Sequence, residues 1–354
     1  MELKLPDMSP LLAWYEENKR DLPWRETRDP YRIWVSEIML QQTRVEAVIR
    51  YYERFLSRLP DVAALSECPE EELMKLWEGL GYYSRARNMQ KAARCIMTDY
   101  GGVFPDTFGG ILSLPGIGEY TAGAIASFAF DLPYPAVDGN VLRVAARLAA
   151  FEEDILAPAS KKLLTALVAA AQPKHEAATF NQAMIELGAT VCLPNGAPRC
   201  EECPLFEKCK AREIGAEQRL PVRKKPAPRR VENRTVLILR VGDTVALRKR
   251  PEKGLLAGLF EPFSVPEALF DAKDVETLLA TKGIKSLRIA PLGEAKHIFT
   301  HIEWHMTGFE VILDEKNAET VCKNLDTGLF FAPRDEIDSA FAVPSAYSAY
   351  RPFM

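Results

Sequence analysis

Nothing in this 354-residue chain is built to cross a membrane: no apolar run reaches spanning length. The opening stretch, Met1 to Pro10, lacks the charged-then-apolar order of a secretion signal. Both absences lead to the expectation of a soluble, intracellular (cytoplasmic) protein with no membrane partner. Basic excess is lacking too: 45 Lys and Arg face 49 Asp and Glu, a net charge of −4. Many DNA-binding domains are basic, so this balance speaks mildly against nucleic acid, although a whole-chain sum can hide a basic face. Internal repeats and low-complexity tracts are missing, which excludes a repeat architecture.

What is present reads as two domains, because the length exceeds one core of typical size. Residues 1–215 are mostly helical by apolar spacing, in Pro30–Phe55, Glu70–Tyr100, Thr121–Phe130, Val141–Phe151 and Ser160–Gln172. Asp29 before Pro30 is a helix start, with Pro suited to the first turn and Asp able to cap it. Residues 216–233 change character: Arg219, Arg223, Lys224, Lys225, Arg229 and Arg230 stand among Pro221, Pro226 and Pro228. This basic, proline-stiffened linker is either a plain tether, a phosphate contact or a dock for a partner protein. Residues 234–354 then read as a smaller α+β domain. Thr235–Arg240 and Thr244–Lys249 form a hairpin around Val241-Gly242-Asp243, and Trp304–Leu313 is another β-rich run.

Three features of the helical part carry chemistry. The run Leu114-Pro115-Gly116-Ile117-Gly118-Glu119-Tyr120 lies between helical stretches. Gly116 and Gly118 let backbone N–H groups approach a phosphate at the positive start of the next helix, the pattern of a helix-hairpin-helix grip on DNA. Glu37 sits in the apolar run from Ile33 to Leu40. Burial there raises a carboxyl pKa, which suits a general acid. Asp138, in Val137-Asp138-Gly139-Asn140-Val141, precedes a helix and reads either as a second working carboxylate or as a plain N-cap. Seven cysteines are an odd number, and four of them, Cys192, Cys200, Cys203 and Cys209, fall within residues 192–209. In a reducing compartment they read as a metal site, and their spacing alone does not choose between zinc and iron–sulfur.

The first domain resembles the helix-hairpin-helix glycosylase superfamily that includes endonuclease III, and more closely the adenine DNA glycosylase (MutY) family. The matching stretches are Leu22-Pro23-Trp24-Arg25, Trp34 through Gln41-Gln42-Thr43, Gly79 through Asn88, the hairpin, Val137 through Val141, and Phe180-Asn181-Gln182. The resemblance implies that Glu37 protonates adenine N7 and that Asp138 stabilises the sugar cation. It implies that Gln42 and Tyr82 wedge into the base stack, that Trp24 and Tyr120 line the adenine side, and that Arg25, Gln41, Thr43, Asn140 and Gln182 contact DNA or substrate. The four cysteines would hold a 4Fe–4S cluster that braces a DNA-binding loop. The expected partner is double-stranded DNA carrying A:8-oxoguanine or A:G mispairs, bound by a monomer associated with the nucleoid.

The chemistry agrees with that assignment. Adenine leaves poorly as an anion, and its departure leaves an oxocarbenium-like sugar, so one neutral and one ionised carboxyl suit the bond. The base must leave the stack first, and a mispaired one leaves more readily. Bifunctional relatives carry a lysine where this chain has Tyr120, so strand-cutting lyase activity is not expected. The first cysteine gap is seven residues where the family's usual gap is six.

The second domain resembles a Nudix fold but lacks the glutamate-rich helix that holds divalent metal, so no pyrophosphohydrolase is expected. Phe299-Thr300-His301 matches a family loop, usually Phe-Ser-His, that contacts 8-oxoguanine; Thr300 keeps the hydroxyl and adds a methyl. His297, His301 and His305 would share one face of a continuous strand, but they span too far for one zinc ion. Two rivals remain: an endonuclease III-like glycosylase and lyase of oxidised pyrimidines, and a non-enzymatic DNA-damage binding protein.

Overall fold

A computed structural model describes residues 3–224, 227–326 and 328–354. The chain forms two compact units. One comprises Met1–Cys68 and Arg87–Lys225, the other Pro69–Ala86 and Pro226–Met354. The stretch 69–86 thus belongs with the sheet, which sequence contiguity does not reveal.

The first unit is helical. Its helices include α1 (Ser9–Asn18), α2 (Pro30–Leu40), α3 (Val45–Arg58), α4 (Phe108–Leu112), α5 (Glu119–Phe130), α6 (Gly139–Leu148), α7 (Pro158–Ala171) and α8 (Ala177–Thr190). Asp29 caps α2 as expected, accepting from Tyr31 N. The run Pro30–Phe55 is two helices, because the backbone turns at Gln42, whose φ is +61°. Helix α8 packs against α1, α5 and α6. Leu11, Tyr15, Val144, Leu148, Leu164, Phe180, Met184 and Leu187 close a core there, with Cys192, Cys203 and Cys209 packed at its margin.

The second unit is built on a six-stranded mixed sheet. Its strands are β1 (Arg230–Val241), β2 (Thr244–Lys249), β3 (Phe260–Val265), β4 (Ser286–Ile298), β5 (Ile302–Leu313) and β6 (Leu329–Pro333), in the order β4-β5-β1-β3-β2-β6. β1 and β2 pair antiparallel across the expected turn. β1 runs parallel to β5, and the other neighbours are antiparallel. Alternation in β1 sends Val236 and Ile238 into one core with Trp304 and Met306, and Leu237 and Leu239 into another with Phe309 and Val311. Both faces are therefore covered.

Two sequence expectations change here. β1 already begins at Arg230, so the last residues of the 216–233 stretch are strand. Lys225 and Pro226 of that stretch lie outside the described residues. The strand expected to carry three histidines breaks at residues 299–301, between β4 and β5. His297 pairs with Trp304 and His305 with Lys296, which puts the two histidines on opposite faces.

Candidate active site

Within the helical unit, Glu37 and Asp138 line one pocket of about 530 Å³, within the size range of small-ligand sites. Trp24, Arg25, Gln41, Gln42, Thr43, Tyr120, Asn140 and Gln182 line it too. These ten expected residues come from five separate stretches of sequence.

Glu37 is on α2 and is 5% exposed. The Tyr120 hydroxyl donates to its Oε2 at 2.6 Å. Burial raises the Glu37 carboxyl from 4.5 to about 7, helped by the charge of Asp138 and opposed by the Tyr120 hydrogen bond and by Arg25. The expected buried acid is therefore present, and it is half protonated near neutrality. Burial also pushes the Tyr120 hydroxyl well above its ordinary range, so it remains a donor.

Asp138 is both an N-cap and a pocket carboxylate. Its Oδ1 accepts from the backbone N–H groups of Asn140 and Val141, each at 2.8 Å, and Oδ2 accepts from Asn140 Nδ2 at 2.7 Å. Burial raises this carboxyl above its ordinary value, while the three donors and Arg143 pull the other way. Glu37 has one hydroxyl donor against three donors for Asp138, so hydrogen bonding supports a carboxylate more strongly at Asp138 than at Glu37.

Sequence reading missed the layer behind this pocket. Glu186 on α8 is fully buried. It accepts from Arg20 Nε at 2.7 Å and Nη2 at 2.9 Å, and from Arg25 Nη2 at 2.6 Å. Arg20 also lines the pocket. Breaking such a buried pair by removing one partner costs about 3–5 kcal/mol. Tyr15 donates to Gln182 Oε1 at 2.5 Å. Gln182 and Glu186 are four residues apart on one helix face, the signal that could have flagged Glu186.

The hairpin lies between α4 and α5. Gly116 has a φ of +79°, and an added Cβ would lie 2.5 Å from Asn88 Cβ. At Gly118 an added Cβ would meet nothing within 4 Å. Packing thus demands glycine at 116, while at 118 the space is open, as a backbone grip on an outside group requires.

Cys192, Cys200, Cys203 and Cys209 line a single cavity and none is in a disulfide. Arg147 Nη1 donates to Cys192 Sγ at 3.1 Å. Burial pushes the Cys203 thiol up to about 12, so an ionised thiolate there needs a positively charged partner. Among the described residues, no three His, Cys, Asp or Glu side chains converge on a single-ion site. Four thiols around a cavity fit a multi-iron cluster.

The sheet unit holds Tyr82, Phe299, Thr300 and His301. Tyr82 is 47% exposed and adopts a φ of +47°, a left-handed conformation that costs an L-residue about 1–2 kcal/mol. Its hydroxyl and Thr300 Oγ1 are 2.8 Å apart, so the structure joins two residues expected to face the same base. Phe299 packs edge-on against Trp304, with ring centroids 4.8 Å apart. Arg229 Nε donates to Phe299 O at 3.1 Å, and Arg230 N to His301 O at 3.0 Å.

A helical unit with this hairpin and an acid–carboxylate pocket defines a DNA glycosylase of base excision repair. Residues 35–170 match the HhH-GPD superfamily base excision DNA repair proteins, and residues 235–350 match the NUDIX domain. The adenine DNA glycosylase of Buchnera aphidicola subsp. Baizongia pistaciae is 34% identical, over 89% of this chain and 90% of its own. This chain belongs to the adenine DNA glycosylase family. Among solved structures, a thermostable thymine-DNA glycosylase aligns with a TM-score of 0.52 and 31% identity, covering 58% of this chain and 95% of that one. A non-covalent endonuclease III–DNA complex aligns at 0.50 and 25%, covering 58% and 94%. Among the described residues, no helix is long and apolar enough to cross a membrane.

Proposed function

We propose that this chain hydrolyses the N-glycosidic bond of adenine paired with 8-oxoguanine, and also with G, in duplex DNA. The observation that carries the reading is the pocket holding Glu37, raised to about 7, beside the triply hydrogen-bonded Asp138. An everted adenine enters this pocket. Protonated Glu37 gives its hydrogen to N7 as the C–N bond breaks, and the bonding electrons leave with the purine. Asp138 stays ionised and stabilises the oxocarbenium-like sugar until water adds at C1′. Trp24, Arg25, Gln41, Gln42, Thr43, Asn140 and Gln182 hold the nucleotide and its flanks. Gly116 and Gly118 grip the backbone. Tyr82, Phe299, Thr300 and His301 read the base opposite.

Cys192, Cys200, Cys203 and Cys209 would hold a 4Fe–4S cluster, which supplies a structural brace for residues 192–209. The protein acts as a monomer on cellular DNA, with the basic stretch ahead of β1 available to repair partners. The functional division follows the two units, with residues 69–86 joining the sheet unit. Tyr120 supports a monofunctional enzyme over the endonuclease III-like alternative, since a phenol forms no Schiff base.

Single-turnover base release from duplexes that differ only opposite adenine tests the reading. Glu37→Gln should abolish release while mismatch binding persists. Unchanged release, or robust borohydride trapping of the native protein on DNA, refutes it.

A further inference from the structure

Arg85 has no role in the reading above, yet it lies under the most exposed aromatic of the proposed base reader. Residues 79–82 form a tight turn in which Gly79, Gly81 and Tyr82 all take positive φ, at +98°, +68° and +47°. Consecutive left-handed residues need outside support. Trp77 Nε1 donates to Gly81 O at 3.1 Å. Arg85 Nη2 donates to Leu80 O at 2.9 Å and to Gly81 O at 3.1 Å. The Arg85 guanidinium also lies 5.3 Å from the Trp77 ring centroid and 5.7 Å from that of Tyr82. One planar cation therefore ties down two successive carbonyls of the turn and lies against the aromatic it projects.

We propose that Arg85 is a positioning residue for Tyr82: it holds the 79–82 turn so that the tyrosine ring stands out for insertion into the base stack with its hydroxyl on Thr300. This rests on the reading that Tyr82 contacts DNA beside the base opposite adenine. Arg85 acts through the turn and touches no substrate. Nη2 alone serves both carbonyls, while the planar guanidinium lies near both rings; a lysine ammonium is a point charge without such a face.

The experiment uses the full chain and duplexes in which a non-hydrolysable 2′-fluoro-adenosine faces either 8-oxoguanine or G. Two readouts are taken: the ratio of the two dissociation constants, and the fluorescence of a 2-aminopurine next to the 8-oxoguanine, which rises when its stack is opened. Arg85→Lys and Arg85→Gln should each lower the 8-oxoguanine preference about tenfold, as expected from losing one or two hydrogen bonds, and should blunt the fluorescence rise. Tyr82→Ala should do the same. Arg85→Gln combined with Tyr82→Ala should be no worse than Tyr82→Ala alone, because a residue that works only through Tyr82 has nothing further to lose. A general structural role would instead make the two losses add. If Tyr82→Ala loses the preference while both Arg85 variants keep it, or if the double variant is additive, the proposal for Arg85 is overturned. If Tyr82→Ala itself keeps the preference, the reading of Tyr82 as a base reader fails, and the proposal falls with it.

Discussion

Replacing Glu37 by Gln should abolish base release and make the protein more stable, the gain in stability appearing only above about pH 4.5. In the folded state the carboxyl titrates near 7, against an ordinary 4.5, because burial penalises its charge. Between these values the native state holds a proton that the unfolded chain releases. Stability contributed by the neutral carboxyl is therefore complete below 4.5, falls as pH rises, and stops falling above about 7. The interval corresponds to about 3 kcal/mol. Glutamine fills the same space, can still accept from Tyr120, and never ionises. Wild type and Glu37→Gln should thus unfold alike at pH 4.5. At pH 8 the variant should be more stable by up to about 3 kcal/mol, or roughly 6–12 °C in the melting transition of a unit this size. Parallel urea titrations across this pH range measure the difference directly. Parallel pH profiles for the two proteins would refute a buried, proton-holding Glu37, and with it the acid role.

Four further outcomes follow from the geometry. Tyr120→Phe removes the hydrogen bond that favours ionised Glu37, so the alkaline limb of the pH–rate profile should move upward; a downward move contradicts the assignment. Gly116→Ala should destabilise the fold by more than about 1 kcal/mol, because positive φ and the approach to Asn88 act together. Gly118→Ala should leave the melting transition nearly unchanged and weaken DNA binding; equal effects on stability would contradict the open space seen there. Cys203→Ser should lower iron and inorganic sulfide together in the purified protein; a variant with full iron content would remove Cys203 from the proposed ligand set.

Much of this site was legible before any coordinates, for physical reasons. A carboxylate in the apolar run Ile33–Leu40 has little choice but burial, and Glu37 is buried. Asp138 before a helix start could be read as a cap or as a working group; its three hydrogen bonds and its place on the pocket wall make it both. Glu186 escaped notice because the charge it neutralises comes from Arg20 and Arg25, more than 160 residues away. The break between α2 and α3 carries no Gly or Pro; Gln42 takes the left-handed turn instead. A shared face for the three histidines would need one continuous strand, and the turn at residues 299–301 interrupts it. Nor does local patterning announce that β1 runs parallel to β5, since pairing between distant strands is set by tertiary packing.

The triple bonding of Asp138 has a consequence for how damage to this gene product should be sorted. An asparagine there keeps an oxygen for the helix start but carries no charge, so the fold survives a loss the chemistry does not. An alanine forfeits the helix start as well. Two neighbouring substitutions at one codon thus separate a well-folded, silent enzyme from one that is also poorly folded, and a measurement of protein abundance would tell them apart.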